Sequence, residues 1–451
     1  MEVLIPGASR AILARSGDSL TGGGLLRASF DQIYWFPDAN DESGAFFINH
    51  EIVSPNGGVS RLRYDGTTIT ERRDWVTGTH FNSSGCITSW GVILSSEEHP
   101  PADQDSLGYL VEVDPAEPNT WVRRKAMGRF SHEGVIEHPV TGEFYMADDS
   151  YTGVFFKFVP FFPDYLGAGA LFAYREGSRD WVLVTNVTQT ESEAIALGAT
   201  TYPRLEDLAY NPIDEAIYIM VTGRINDPDS QLGYILRYDP ATMTMTRWLD
   251  GDGTFLANPD NVEVDSFGNL LVEEDQYPAN KTLYGPNELL LVGLDRTIVP
   301  LLRGLDMLGE VTGLTLDASE GRFWTNWMNG MNGSELLQVK CPPGWNSPPV
   351  AVPEAPPPSV LRLELVAAPN PFAATIQLRS ELGAEERVRL DIFDVRGVHW
   401  RTLIDRPHAG GLLVATWDGR DGGKRAAPAG AYFARLTAGR RTAASRVLLV
   451  R

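Results

Sequence analysis

One pattern recurs through the first three-quarters of this 451-residue chain, at intervals of roughly 50 residues. It opens with a polar or acidic residue and an apolar strand start. A turn containing Asp, Asn, Pro or Gly follows, and then a second apolar strand that often ends in acid. The copies read HEGVIEHPVTGEFYMADD from His132, LEDLAYNPIDEAIYIMVTG from Leu205, PDNVEVDSFGNLLVEED from Pro259 and EVTGLTLDASEGRFWTNW from Glu310. A shorter copy, SSGCITSWGVILSSEE, starts at Ser83, and an incomplete first copy, IYWFPDANDESGAFFINHE, at Ile33. Third strands such as GYLVEVDP, GYILRYDP and NELLLVGLD follow, with alternating apolar residues that run into turns. TERRDWV, TWVRRKA, DWVLVTNV and MTRWLD supply fourth strands. Helical periodicity is nearly absent; ESEAIALGA from Glu191 is the main helix candidate. Six copies of a four-stranded unit with no helical layer specify an all-β chain, a six-bladed β-propeller, over residues 1–341.

A second segment ends the chain. Eight of the 30 prolines fall between Pro342 and Pro358, which reads as a semi-rigid spacer over 342–358. Residues 359–451 show short alternating strands between Gly, Pro and Asp turns, the pattern of a small immunoglobulin-like β-sandwich. The two parts differ in charge. The net charge is −21, but Ser359–Arg451 holds 15 basic and 9 acidic residues, so the tail carries +6 and the rest −27. That excess of acid excludes nucleic acid as a main partner, because phosphate backbones are bound by Lys and Arg. Two cysteines exclude a disulfide scaffold. No apolar run is long enough for a membrane span, and the N-terminus shows no signal-peptide pattern.

In a propeller, equivalent positions of the repeats meet around one channel. Aligned openings put Ser84, Glu133, Glu206, Asp260 and Thr312 at one position, and Gly85, Gly134, Asp207, Asn261 and Gly313 at the next. The following strand ends in Glu51, in Glu97 with Glu98, in Asp148 with Asp149, and in Glu273 with Glu274 and Asp275. Several like charges share a small cavity only if cations or protons neutralise them, and oxygen ligands suit calcium. His50 and His132 stand in two His-Glu dipeptides that read as equivalent; His80, His99 and His138 carry little signal. In this register Cys86 matches Val135, Leu208 and Val262, the place of a small buried apolar residue.

These residues resemble the PhoX-type alkaline phosphatase family. The matching segments are FINHE around Glu51, NSSGCITSWGVILSSEE from Asn82, GRFSHEGVIEHPVTGEFYMADD from Gly128, YPRLEDLAYNP from Tyr202 and NPDNVEVDSFGNLLVEED from Asn258. The resemblance implies a six-bladed propeller, a secreted, periplasmic or cell-surface location, and a metal-dependent phosphomonoesterase that uses calcium and iron on a small phosphate ester. Carried over, the metal candidates are Glu51, Glu97, Glu98, Glu133, Glu206, Asp260 and Glu273; Arg204, from its charge and place, and His132, from its His-Glu dipeptide, are the catalytic candidates. One departure stands out: the family segment typically reads Asn-Cys-x-Gly-Gly-x-Thr-Pro-Trp-Gly. Ser83 stands where that Cys, an iron ligand, is expected, Cys86 where the second Gly is, and Ser89 where the Pro is. The alternatives are a calcium-dependent lactonase or aryl-esterase propeller and a non-catalytic calcium-binding secreted propeller. The tail resembles the FlgD-type immunoglobulin-like domain in APNPF from Ala368, LDIFDVRGVHWRTL from Leu390 and WDGRDGGKRAAPAGAYFARL from Trp417. That resemblance implies export and contact with secretion machinery; a monomer is expected.

Overall fold

A computed structural model describes residues 1–39, 42–317, 321–342, 365–368, 372–382, 386–394, 398–438 and 441–450. The described residues are almost entirely β, with two short helices, Thr190–Ala196 and Pro278–Tyr284. The first is the helix expected near Glu191. The second was not foreseen; Pro278 begins it, where a missing N–H costs nothing.

The chain divides into two compact units. One comprises Met1–Glu137, Phe144–Val159 and Gly169–Val350; the other comprises His138–Glu143, Pro160–Ala168 and Ala351–Arg451. The expected proline spacer lies outside the described residues from residue 343 onward, and so do Pro369, Asn370 and Pro371 of APNPF.

The first unit is the six-bladed propeller. Each blade is an antiparallel meander whose innermost strand begins Phe30–Pro37, Asn82–Ile87, His132–Glu137, Leu205–Asn211, Pro259–Val264 and Glu310–Asp317 in turn. Blades one, two and four are four-stranded; the third has five strands. The sixth blade departs from expectation. Its outer strand is not the next segment of chain but Ser9–Arg15, paired antiparallel with Gly333–Lys340. Glu2–Val3 likewise extends the fifth blade beside Ile298–Arg303. The N-terminus thus covers the outer edges of the last two blades, a way of protecting exposed strand edges.

Aromatic packing ties the last blade to the first. Trp324, fully buried, lies with its ring centroid 4.9 Å from Trp35 and 5.0 Å from Phe46. Both partners belong to blade one, and Ile33, Ile48 and Leu336 complete the cluster.

The second unit holds a three-stranded sheet (Val366–Ala368, Ile376–Leu382, Gly411–Trp417) and a four-stranded one (His399–His408, Glu386–Asp394, Gly430–Ala438, Arg441–Leu449). Ile376, Leu378 and Trp417 of the first share one core with Leu390, Ile392 and Leu436 of the second, so the unit is a β-sandwich.

The seam between blades six and one gives a stability prediction. Trp324→Ala should lower the unfolding free energy by about 3–5 kcal/mol, the usual cost of emptying a buried aromatic site, measured by urea denaturation. A loss below about 1 kcal/mol would mean that this cluster does not join the blades.

Candidate metal centre

A bulge gives each innermost strand of the first five blades its functional side chains. Phe30 pairs with His50 and Ile33 with Ile48, so three steps on one strand oppose two on the other. The same shift occurs between Asn82 and Gly85, His132 and Val135, Leu205 and Leu208, and Pro259 and Val262, and in blade six between Thr312 and Thr315, where the residue just inside is Gly313. A bulge of this kind leaves residues out of the ladder and re-aims their side chains. In the first five blades the residues just inside it are Asp31, Ser83, Glu133, Glu206 and Asp260. All five line one cavity of about 70 Å³, together with Thr312 of blade six.

This register corrects three alignments: in blade six Gly313, not Thr312, is the counterpart of Glu133. Ser83, not Ser84, is the blade-two counterpart of Glu133, and Gly85, not Cys86, matches Val135 and Leu208. Glycine is required there, because a Cβ would stand 2.0 Å from the Leu94 carbonyl oxygen and 2.3 Å from the Tyr34 hydroxyl. A glycine in an apolar register position disguised the true alignment. His50 and His132 are also not equivalent: His50 ends a second strand, whereas His132 opens an innermost one.

The second set of ligands comes from the residue that follows each second strand. A backbone hydrogen bond fixes it beside the entry of its own blade. The Glu51 amide donates to the Ser29 carbonyl, Glu98 to Phe81, Asp149 to Ser131 and Asp275 to Asn258. Thr222 makes the same bond to Arg204 in blade four. Glu51, Glu98, Asp149 and Asp275 join the cavity wall, as do His99, Arg204, Asn261 and Glu310. Successive strand residues face opposite ways, so the preceding acids point elsewhere.

Glu97 therefore does not reach the cavity. It is fully buried in a two-point pair with Arg123 (2.5 and 2.9 Å) and accepts the Gly108 amide at 3.1 Å. Asp148 accepts the Val154 amide, and Glu274 the Ala257 amide at 2.7 Å. Glu273 is not among the cavity residues; it accepts the Thr325 hydroxyl at 2.6 Å. His132 is outside it too. Its ring stacks on Phe130 with centroids 3.6 Å apart, and its Nε2 bonds the Gly128 carbonyl at 2.9 Å. Burial pushes its pKa down to about 3, so it stays neutral. Of the residues singled out from sequence, the structure brings together Glu51, Glu98, Glu133, Glu206, Asp260 and Arg204. It adds Asp31, His99, Asp149, Asp275 and Glu310 as candidates that the ligand set had left out.

The cavity thus holds nine carboxylates against Arg204 and His99. Burial, reinforced by facing carboxylates, pushes Asp31, Glu98, Glu133, Glu206, Asp260 and Glu310 well above the usual carboxylate range. Burial lifts Glu51 to about 7. Asp149 is the exception: burial acts upward on it, but the Arg204 guanidinium outweighs burial and holds it below its ordinary value. Arg204 donates to both Asp149 oxygens (2.8 and 2.9 Å) and pairs with Glu206 at 2.7 Å. Its backbone is left-handed, with φ of +63°, as at the equivalent entry residues Ser29, Phe81 and Asn258, so this conformation belongs to the repeat.

The donor set fits hard cations. Glu133, Glu206 and Asp260 offer oxygens within 4.8 Å of one another, as do Asp260, Asp275 and Glu310. Glu98, His99 and Asp149 form a third such group. Asn261, almost fully buried on the same wall, has neither amide atom hydrogen-bonded. Carboxylates and an amide oxygen are calcium ligands. The Ser83 hydroxyl, where a thiolate was expected, donates to Asp31 or Glu133, both at 2.7 Å. Cys86 and Cys341 are free thiols, and neither lines the cavity.

Proton linkage gives the chelated protein a definite pH response. Burial raises Glu273 and Glu274 to about 8, and Glu51 and Glu263 to about 7. Carboxyls raised in the folded state contribute stability below their unfolded pKa near 4 and lose it as pH rises through the folded values. The chelated protein should therefore melt at a lower temperature near pH 9 than near pH 5, and millimolar calcium should shrink the difference. Equal melting temperatures, read by calorimetry, would contradict the strain described here.

Residues 48–297 match the family model of alkaline phosphatase PhoX. No curated protein sequence matches. Among solved structures, PhoX from Pseudomonas fluorescens in complex with vanadate, a transition-state analogue, superposes with a TM-score of 0.62 at 17% identity, over 74% of this chain and 95% of that one. XC5397 from Xanthomonas campestris, a gluconolactonase, aligns at 14% identity over 76% of this chain and 98% of its own, with a TM-score of 0.43. The first likeness confirms the propeller fold, and the family match spans more than half of the sequence: the chain belongs to the PhoX alkaline phosphatase family.

Proposed function

We propose that the protein is a calcium-dependent phosphomonoesterase that hydrolyses small phosphate esters at the carboxylate cavity. The observation that carries this reading is the convergence of nine carboxylates and Arg204 on one buried site within a family of phosphatases. Glu51, Glu98, Glu133, Glu206 and Asp260 are the proposed ligands from the sequence, joined by Asp31, Asp149, Asp275 and Glu310. Glu97, Glu273 and His132 have no place in it, because each is held elsewhere. Bound cations would supply positive charge to the ester phosphate and to the charge that grows on it in the transition state.

The protein's own groups have two tasks. Arg204 is pre-positioned by Asp149 and Glu206 at the mouth of the cavity, where its guanidinium can bind a phosphate oxygen pair. The buried wall excludes bulk water, which strengthens every charge interaction within it. In the overall reaction a water oxygen bonds to phosphorus, the ester P–O bond breaks, and the alcohol leaves with a proton. Iron would have to be held by oxygen or by His99 here, since no thiol faces the site. This donor set therefore favours calcium.

The same reading places the protein outside the cytoplasm as a monomer, with the sandwich as a FlgD-like module that meets secretion machinery. Among the described residues no helix is long and apolar enough to cross a membrane. Ser83 specifically favours one rival, a non-catalytic calcium-stabilised propeller.

Activity separates the two. The purified protein with calcium should hydrolyse phenyl phosphate and lose that activity in chelator. Arg204→Ala should lower kcat/KM by about 100-fold, the scale for removing one preorganised charge donor. A calcium-loaded, folded protein without activity on phenyl phosphate would contradict the phosphatase reading. Ser83→Cys should raise the iron bound per chain, measured by plasma mass spectrometry; unchanged iron would show that position 83 does not select the metal.

A further inference from the structure

A larger groove of about 1050 Å³ opens beside the carboxylate cavity. The two share His99, Asp149 and Arg204, so a phosphate held at Arg204 would direct the alcohol half of its ester into the groove. The lining is mixed, with apolar surface at Pro100 and Ala102 and polar groups at Gln189 and Ser192. Its most exposed aromatic side chain is Tyr151, 58% exposed. Phe130, the other phenyl ring of the lining, is 3% exposed and is taken up by Phe156 and His132.

Exposure alone marks little, since single apolar residues on a surface are ordinary. What distinguishes Tyr151 is that it is held in place. It is the second residue of a turn closed by the Gly153 amide, which donates to the Ser150 carbonyl at 3.0 Å. Glu191 accepts the hydroxyls of both flanking residues, Ser150 at 2.9 Å and Thr152 at 2.6 Å. The Ser150 carbonyl also accepts the Arg204 amide at 2.9 Å, which fastens the turn to the residue proposed to bind phosphate. Arg224 donates to the Tyr151 carbonyl, and its guanidinium lies 4.9 Å from the ring centroid. A cation in that place is attracted to the π electrons and covers one face of the ring. The exposure that remains belongs to the other face and the edge.

We propose that Tyr151 is a specificity residue: its free face stacks on an aromatic ring in the alcohol half of the ester, so that the protein prefers aromatic phosphate monoesters to plain alkyl ones. The inference rests on the phosphatase reading and names a substrate class for it. Two rings packed offset or edge to face attract each other beyond the apolar area they bury. A ring already fixed in position loses little conformational freedom when a ligand lies on it. The groove is at the upper end of the range for ligand pockets, so an aromatic group has room beside the polar lining. The bond change is the hydrolysis given above; Tyr151 acts on the choice of alcohol.

The test uses the full-length, calcium-loaded protein and two probes, benzyl phosphate and n-butyl phosphate, whose alcohols are similarly poor leaving groups. Their ratio of kcat/KM therefore reads recognition of the ring. In the native protein benzyl phosphate should be favoured by about 10-fold, the scale of one stacked aromatic pair. Tyr151→Ala should bring the ratio down to within about 2-fold, and Tyr151→Phe should keep most of it, because the π face is retained. A native ratio near one would overturn the proposal, and so would a ratio that Tyr151→Ala leaves unmoved. Should that variant not fold, Tyr151→Leu, which keeps bulk and removes the π face, takes its place with the same expected fall. Hydrolysis of both probes without the aromatic preference sinks this proposal only. If neither is hydrolysed, the phosphatase reading fails and this one falls with it.

Discussion

Nine carboxylates around a cavity of about 70 Å³ are the constraint on which the structure turns. Like charges in a buried space repel strongly, and removing each from water costs several kcal/mol more. One arginine and one histidine cannot balance them. Protons can, at the expense of stability as pH rises, or cations can, and a set of carboxylate oxygens from all six blades suits hard cations. Under the proposed function, the same cations would serve the chemistry and the stability of the folded chain.

The fold makes that convergence possible by repetition. All six blades carry the same bulge, and in the first five it turns one side chain into the channel. A backbone hydrogen bond from the end of the second strand then brings another side chain alongside. The acids need no neighbourhood in sequence, because Asp31 and Asp260 occupy equivalent places four blades apart along the chain. Arg204 occupies the corresponding entry position of blade four, with the left-handed backbone that Ser29, Phe81 and Asn258 also adopt, and its two carboxylate partners orient its guanidinium. Closure of the ring keeps the geometry shared: the Trp324 cluster joins blade six to blade one, and the N-terminal strand covers the outer edge of blade six.

Much of this was legible in the sequence. The repeat specified the all-β propeller, and the strand-end acids pointed to the channel. Alternation refines the reading, since of Glu97 and Glu98 only one can face inward, and the inward one is the residue after the strand. Applied to Asp148 with Asp149 and to Glu274 with Asp275, that rule picks the residues the structure places at the cavity. Asp31 was missed because the first copy looked incomplete, and it opens the strand two residues before the copy's apparent start at Ile33. His99 and Glu310 had no repeat counterpart to mark them. The slip at Ser83 came from Gly85, whose close approach to Leu94 and Tyr34 forbids the side chain that would have aligned it. The N-terminal strand in blade six was hidden for another reason: its partner, Gly333–Lys340, lies more than 300 residues away.

The central claim is that cations hold this cavity together, and the most direct measurement is metal content in the purified full-length chain. Plasma mass spectrometry, compared between the native protein and the double variant Glu133→Gln with Asp260→Asn, reads it. The account predicts at least about two calcium ions per chain in the native protein and a clear loss in the variant. A folded native protein that retains no divalent or trivalent metal after purification in calcium, with its melting temperature unmoved by calcium, would contradict it.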